Sequence, residues 1–531
     1  MKTTYTLMIF SVILLKATIV LSQENRLAII PEPNYMELKE GVFEVKHNLK
    51  MNSSVEFQEI IDTTDYVKDV LEEVFKVSIT REAKSSSDII ITRDHTLAEE
   101  AYVIDIRPDR IHIKVKNTTG FFYATQTLRQ ILFQSRVFKG SKTIPICYIK
   151  DEPRFSYRAL MLDPARHFLP FEDIKKFIRA MSFYKFNKLH LHLTDDQGWR
   201  MEIKKYPELT SVGAWRDETE GDGVKHGGFY SQSQMKELVR YAKAYHIDII
   251  PEIDMPGHSM SVLAAYPQLA CFLDDFKVRT TPGVDKNLLC AGNDKVPGFY
   301  DDIIREVTTI FPYNKIHIGG DEAPTDNWEQ CLKCQQKIKR EGLKDEHGLM
   351  SAFFNKMNQI LKKYNRQPML WYEENVTSYP EGSTVFLWRK GTAERVVKAT
   401  GEQGLKLICA PGEYAYLDYP ESAAEKRYTF DWMQTLPLHQ VYDFDPGYGL
   451  SAEDQRHIIG IEGCVWGERV YNINRAFYMT YPRALALAEA GWTATMNKSW
   501  ERFSCKLQSN LVFLLNEGIN FRVPFELFNE D

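Results

Sequence analysis

Two adjacent carboxylates, Asp321 and Glu322, follow the short apolar run Lys315–Gly320 (KIHIGG), whose paired glycines leave room for other groups to approach. Neighbouring acids repel, which raises the pKa of one of them. Cleaving a glycosidic bond by acid catalysis needs a proton for the departing oxygen and a negative charge to steady a cationic ring, so such a pair could divide the work. Acid pairs are also common on solvated surfaces, and the value of this one depends on its surroundings. Similar apolar runs end in Asp163 and Arg166, in His192, Asp195 and Asp196, and in Asp254 and His258. Others end in Trp371, in Trp388, in Tyr416 with Asp418, and in Trp466 with Glu468. A pyranose has apolar C–H faces and a rim of hydroxyls, so aromatic walls and charged hydrogen-bonding groups suit it. Core packing explains any one of the tryptophans equally well; three at separate run ends favour a site.

These residues need a scaffold that gathers run ends. From Phe155 onward, short apolar runs alternate with helical patterns: YRALMLD, NKLHLHLTDD, IDIIPEID, KIHIGGDE, QPMLWYEE, STVFLWRK, LKLICAPGE and IIGIEGCVWGE. Eight strands with helices between most of them predict an α/β fold, a (β/α)₈ TIM barrel, whose sites lie at the strands' C-terminal ends. A doubly wound sheet is the alternative, and polar residues at every run end favour the barrel. Before it, residues 23–152 read as a small α/β domain. It contains the helical VKDVLEEVF, the strand SDIIITRD, a hairpin turning near Pro108-Asp109-Arg110 and a second helix over FFYATQTLRQILFQ. The polar segment 149–153 marks the boundary, leaving 153–531 as the catalytic barrel.

At 531 residues, two domains are the expected number. A net charge of −6 with interspersed signs argues against a nucleic-acid partner, and no GxxxxGK[ST] motif suggests nucleotide chemistry. No cofactor is expected. Residues 1–22 read as a cleaved signal peptide: Lys2 opens it, and an apolar run from Leu7 to Leu21 follows, broken by Lys16. The protein is therefore expected outside the cytoplasm, periplasmic or secreted. No later run reaches the roughly 18 apolar residues of a stable membrane span. Cys331 and Cys334 form a C-x-x-C pair; zinc would need a second pair, none follows, and a short-loop disulfide is the favoured reading. His190 and His192 form an H-x-H that also occurs in metal-dependent barrel hydrolases, which need further ligands, so no metal site is expected. Hydrogen-bonded packing is the reading for His190 and His317. Asn52, Asn117, Asn375 and Asn497 stand in glycosylation sequons. The oligomeric state, monomer or dimer, is open.

HIGGDEA (317–323) closely resembles the signature of glycoside hydrolase family 20, the β-N-acetylhexosaminidases. MLDPARHFLP, KFNKLHLHLTDDQGWR, PEIDMPGHS, YLDY and VWGE resemble that family's other blocks in the same order. The resemblance covers about 155–495, and the front segment resembles the small domain that precedes this barrel. It implies a retaining, substrate-assisted reaction in which the sugar's own 2-acetamido oxygen attacks and a cyclic oxazolinium forms. By that resemblance Glu322 is the proton donor and later the base, while Asp321 orients the acetamido group and steadies the intermediate's charge. Tyr416 hydrogen bonds the acetamido oxygen, and Trp371, Trp388 and Trp466 enclose its methyl group and the sugar face. Arg166, Glu468 and Asp418 hold ring hydroxyls, and Asp254 with His258 supports Glu322. The expected substrates are chitooligosaccharides or glycoconjugates ending in GlcNAc or GalNAc. A silent sugar-binding protein would have no chemical need for Asp321, Glu322 and Tyr416 together; an enzyme releasing a disaccharide is the other alternative.

Overall fold

Eight runs that are apolar on both faces have only one way to hide them all, which is to pair side by side under a coat of helices. In the computed structural model, which describes residues 27–53, 66–82 and 86–527, they close into a parallel barrel. Its strands are β1 (Tyr157–Leu162), β2 (Lys188–His192), β3 (Asp248–Glu252), β4 (Lys315–His317), β5 (Gln367–Trp371), β6 (Thr384–Leu387), β7 (Lys406–Cys409) and β8 (Ile458–Val465). β8 pairs with β1, Val465 opposite Leu162, which closes the ring. Tyr157, Ile250, Met369, Trp371, Phe386 and Ile408 fill the interior, so the barrel is a packed core rather than a pore.

Amphipathic helices coat the outside. Phe171–Ser182 follows β1, Gln232–Ala244 follows β2, Lys295–Thr308 follows β3, Glu346–Lys363 follows β4 and Ala393–Glu402 follows β6. Ser231 and Gln234 start the second of these with a reciprocal capping box. The alternation breaks once: the segment 372–383, between β5 and β6, carries no helix.

The smaller unit is a seven-stranded mixed sheet backed by the helices Tyr66–Phe75 and Thr118–Lys139. The expected hairpin pairs Tyr102–Ile106 with Ile111–Val115, Ile104 opposite Ile113. Four further strands, Tyr35–Glu44, Asn48–Ser53, Ser78–Arg81 and Thr143–Asp151, were not read from the sequence. Asn117, one of the sequon asparagines, caps the long helix by accepting from the Thr119 and Gly120 N–H groups, so its side chain serves the fold. A buried polar joint ties this unit to the barrel. Asp151 accepts from Tyr102 Oη at 2.5 Å and Trp492 Nε1 at 3.0 Å, and pairs with Lys185 at 3.0 Å. The leader expected over 1–22 lies outside the described residues. Among the described residues, no helix is long and apolar enough to cross a membrane.

Candidate active site

The chain turns sharply after β4. Gly319, Gly320 and Glu322 all have positive φ, at 65°, 99° and 46°. Gly319 has a steric reason to be glycine: a Cβ there would lie 1.6 Å from Asp254 Oδ1. That oxygen also accepts from the Gly320 N–H at 3.2 Å, so the loop wraps around Asp254, which follows β3. The unusual backbone at Glu322 is held by its N–H, which donates to Glu373 Oε1 at 3.3 Å. Arg389 in turn grips Glu373 through two guanidinium nitrogens, Nη2 donating at 2.8 and 2.9 Å and Nε at 3.2 Å.

The two acids sit at different depths around one imidazole. His258 Nε2 is 3.7 Å from Asp321 Oδ2 and 3.8 Å from Glu322 Oε2; the Asp321 side chain is 11% exposed and that of Glu322 36%. Asp254 shares this neighbourhood, within 4.8 Å of His258 and Asp321. Behind His258 a row of buried groups descends into the barrel. His258 Nδ1 lies 3.3 Å from Asp195 Oδ1, and Asp195 Oδ2 lies 2.8 Å from His192 Nε2 and 2.6 Å from an Arg166 nitrogen. His192 Nδ1 hydrogen bonds Glu252. Glu252 also accepts from Trp371 Nε1 at 2.8 Å and pairs with His317 at 2.8 Å. His190 links Glu252, at 3.2 Å, to Glu462, at 2.9 Å.

Burial opposes charge on His258, Asp195, His192 and Glu252, and the alternation of sign overcomes it; at His317 burial wins and lowers the imidazole. Arg166 and His258 hold the Asp195 carboxyl well below its ordinary value, and His192, His317 and His190 do so for Glu252. Asp195, Asp321 and Asp254 hold His258 well above the usual imidazole range despite its burial. Where no such balance exists, burial wins. Asp254 is pushed well up by burial and by the Asp321 charge. Burial lifts Asp321 to about 7; Glu322, Glu252 and Glu373 add to the rise and His258 works against it.

The rim residues come from the ends of β5, β6, β7, β8 and β1. Trp371 ends β5 and is buried as a floor; its ring stacks obliquely 5.6 Å from Trp466, which lies 6.0 Å from Tyr416. Trp388, after β6, packs against the same cluster with its indole N–H on the Tyr372 carbonyl at 3.0 Å. Arg166 crosses 5.0 Å above Trp466 and is fixed by Asp163 at 3.0 Å. Burial pushes the carboxyls of Asp418 and Glu468 upward, with repulsion between the two adding to it for Asp418. Both oxygens of Asp418, Glu468 Oε2, Asp321 Oδ1 and His258 Nε2 are buried with no protein hydrogen-bond partner. Unpaired buried polar atoms are costly, so such a concentration marks a place built for a polar ligand. A cavity of about 620 Å³ adjoins this point, bounded by Trp388, Tyr416, Glu373 and Arg389.

The structure thus brings every nominated residue to one barrel mouth or to the layer beneath it. Sequence reasoning missed Glu252 and Glu462, whose signal was an acid inside an otherwise apolar strand. It also missed Glu373 and Arg389, which meet only through the β5–β6 crossing. His190 and His317 are paired with carboxylates, as their packing reading anticipated. The Cys331–Cys334 disulfide is a correction: neither cysteine is disulfide-bonded, and two cysteines from an earlier loop, Cys271 and Cys290, join them.

Residues 155–495 match the model of the glycosyl hydrolase family 20 catalytic domain, and residues 26–152 match that of the family's domain 2. A β-hexosaminidase of Akkermansia muciniphila is 44% identical over 421 residues, 79% of this chain and 85% of that one. The crystal structure of a β-N-acetylhexosaminidase superposes with a TM-score of 0.82 at 40% identity, covering 92% of this chain and 96% of that one. The family 20 exo-β-N-acetylglucosaminidase of Vibrio harveyi, solved with N-acetylglucosamine, also gives a TM-score of 0.82, at 28% identity over 94% of this chain and 79% of that one. The chain belongs to glycosyl hydrolase family 20, and its activity is that of a β-N-acetylhexosaminidase.

Proposed function

We propose that the enzyme removes one terminal, non-reducing N-acetylhexosamine at a time, with Glu322 as the general acid and base and Asp321 as the group that steadies the substrate's acetamido function. The observation that carries this division of labour is the unequal setting of the two acids around His258 Nε2. Glu322 is the one solvent reaches, which suits a group that gives a proton to a leaving oxygen and then takes one from water. Asp321 lies deeper, which suits a group that steadies the acetamido function as its oxygen attacks and the oxazolinium forms. In this reading Tyr416 hydrogen bonds that oxygen, and Trp371, Trp388 and Trp466 enclose the methyl group. Arg166, Asp418 and Glu468 supply polar partners for ring hydroxyls, and the unpartnered oxygens of the two acids support recognition of a single chain end.

Glu322→Gln should lower turnover by about 10²–10⁴-fold, since that is what one positioned acid contributes, while binding of N-acetylglucosamine persists. Chromogenic glycosides of GlcNAc, GalNAc and glucose provide the assay. A Glu322→Gln enzyme as fast as wild type on a poor leaving group removes Glu322 from this role. Equal rates of the wild type on the glucoside and the N-acetylglucosaminide remove the acetamido group from the mechanism. The proposed location is outside the cytoplasm, on the composition of residues 1–22; N-terminal sequencing of the mature protein from a fractionated source tests it.

A further inference from the structure

Away from the mouth, four cysteines from two loops meet on the flank of the barrel. Cys271 and Cys290 belong to the long loop after β3 and adjoin a bridge that pairs Ala270 with Leu289. Cys331 and Cys334 follow β4: Cys331 caps the helix Leu332–Glu341 and Cys334 lies in its first turn. Cys290 Sγ is 3.7 Å from Cys331 Sγ and 3.7 Å from Cys334 Sγ, and Cys271 Sγ is 3.8 Å from Cys334 Sγ. All four sulfurs fall within 4.8 Å of one another, and three of the four residues are buried.

Those spacings match a specific object. A tetrahedral zinc with thiolates at about 2.3 Å has sulfur–sulfur edges of about 3.8 Å. Two disulfides would divide the sulfurs into two close pairs, whereas Cys290 stands equally far from two partners. An iron–sulfur cluster places its thiolates on separate irons and needs a wider cage. The surrounding backbone also fits. Gly292 approaches the helix start so closely that a Cβ would lie 2.4 Å from the Cys334 nitrogen. Lys337 Nζ donates to the Ala291 carbonyl at 3.0 Å, placing a cation beside a site that four thiolates and one divalent ion would leave negative.

We propose that Cys271, Cys290, Cys331 and Cys334 form a four-thiolate site for one zinc-class divalent cation, which clamps the loop carrying His258 to the loop carrying Asp321 and Glu322. Its role is structural: all four positions are taken by protein, so no open position is left for water or substrate. The clamp joins segments that sequence proximity does not, since 41 residues separate Cys290 from Cys331.

The test is elemental analysis of the full-length enzyme, purified without chelator and again after anaerobic reduction and incubation with zinc sulfate. One zinc per chain is expected in both preparations, and none in a Cys290→Ser/Cys334→Ser variant, which should also melt earlier. Should that variant fail to fold, cobalt(II) loaded into the wild type decides instead: four-thiolate coordination gives sulfur-to-cobalt charge transfer and the intense visible bands of a tetrahedral ion. A wild type that binds no metal in either preparation, or whose intact mass is four hydrogens light with none of these thiols titratable, overturns the proposal. Neither result depends on the glycosidase assay.

Discussion

Asp321 and Glu322 are neighbours in sequence with opposite environments, and the pH profile should separate them. A buried carboxyl lifted to about 7 is protonated below that pH and anionic above it. If Asp321 acts as an anion, kcat/KM should fall as the pH drops through about 7. Asp321→Asn should lose about 10²–10³-fold in kcat and lose this acidic limb as well. A variant that keeps the limb unchanged assigns it to another group. The positions at the mouth were legible because each ends an apolar run with a charged or aromatic residue. Glu373 and Arg389 were not, since sixteen residues and a strand crossing separate them and neither stands in a distinctive motif. The lift on Asp321 was equally illegible, because its larger cause is depth in the barrel and the adjacent Glu322 charge only adds to it.

The turn after β4 shows how one element sets the site. Gly319 and Gly404 have nearly the same φ, 65° and 66°, but only Gly319 is crowded; nothing lies within 4 Å of a Cβ at Gly404. Gly404→Ala should therefore cost only the left-handed backbone penalty, about 1–2 kcal/mol by chemical denaturation, and leave kcat alone. Gly319→Ala must in addition displace Asp254, and should lower kcat by more than tenfold in whatever fraction stays folded. Similar kcat values for the two variants would show that the wrapping of Asp254 is incidental. The barrel strands were readable because a strand buried on both faces is apolar throughout. Tyr35–Glu44 was not, being largely exposed and polar, and the absent helix between β5 and β6 left no mark that a short connection would not also leave.

Across the whole molecule, the joint at Asp151 makes the smaller unit and the barrel depend on each other. Lys185 and Asp151 are both fully buried, so Lys185→Met leaves a carboxylate without its cation and should destabilise the enzyme by about 3–5 kcal/mol. Lys185→Met combined with Asp151→Asn should cost less than the sum of the singles. Additive single effects in a denaturant-unfolding cycle would mean the pair is not coupled. This joint was invisible in the sequence because its members, Tyr102, Asp151, Lys185 and Trp492, come from four distant segments.

The row from Glu252 through His192 and Asp195 to His258 presents a cation immediately beneath the acid pair. Because folding fixes the order of its signs, it acts as a standing field beneath the acid pair, already oriented before any sugar enters. When Glu322 gives up its proton, the new negative charge appears over a positive one that has no need to move. The reorganisation that water would have to perform at that instant has been done during folding, by groups layered beneath the acid pair.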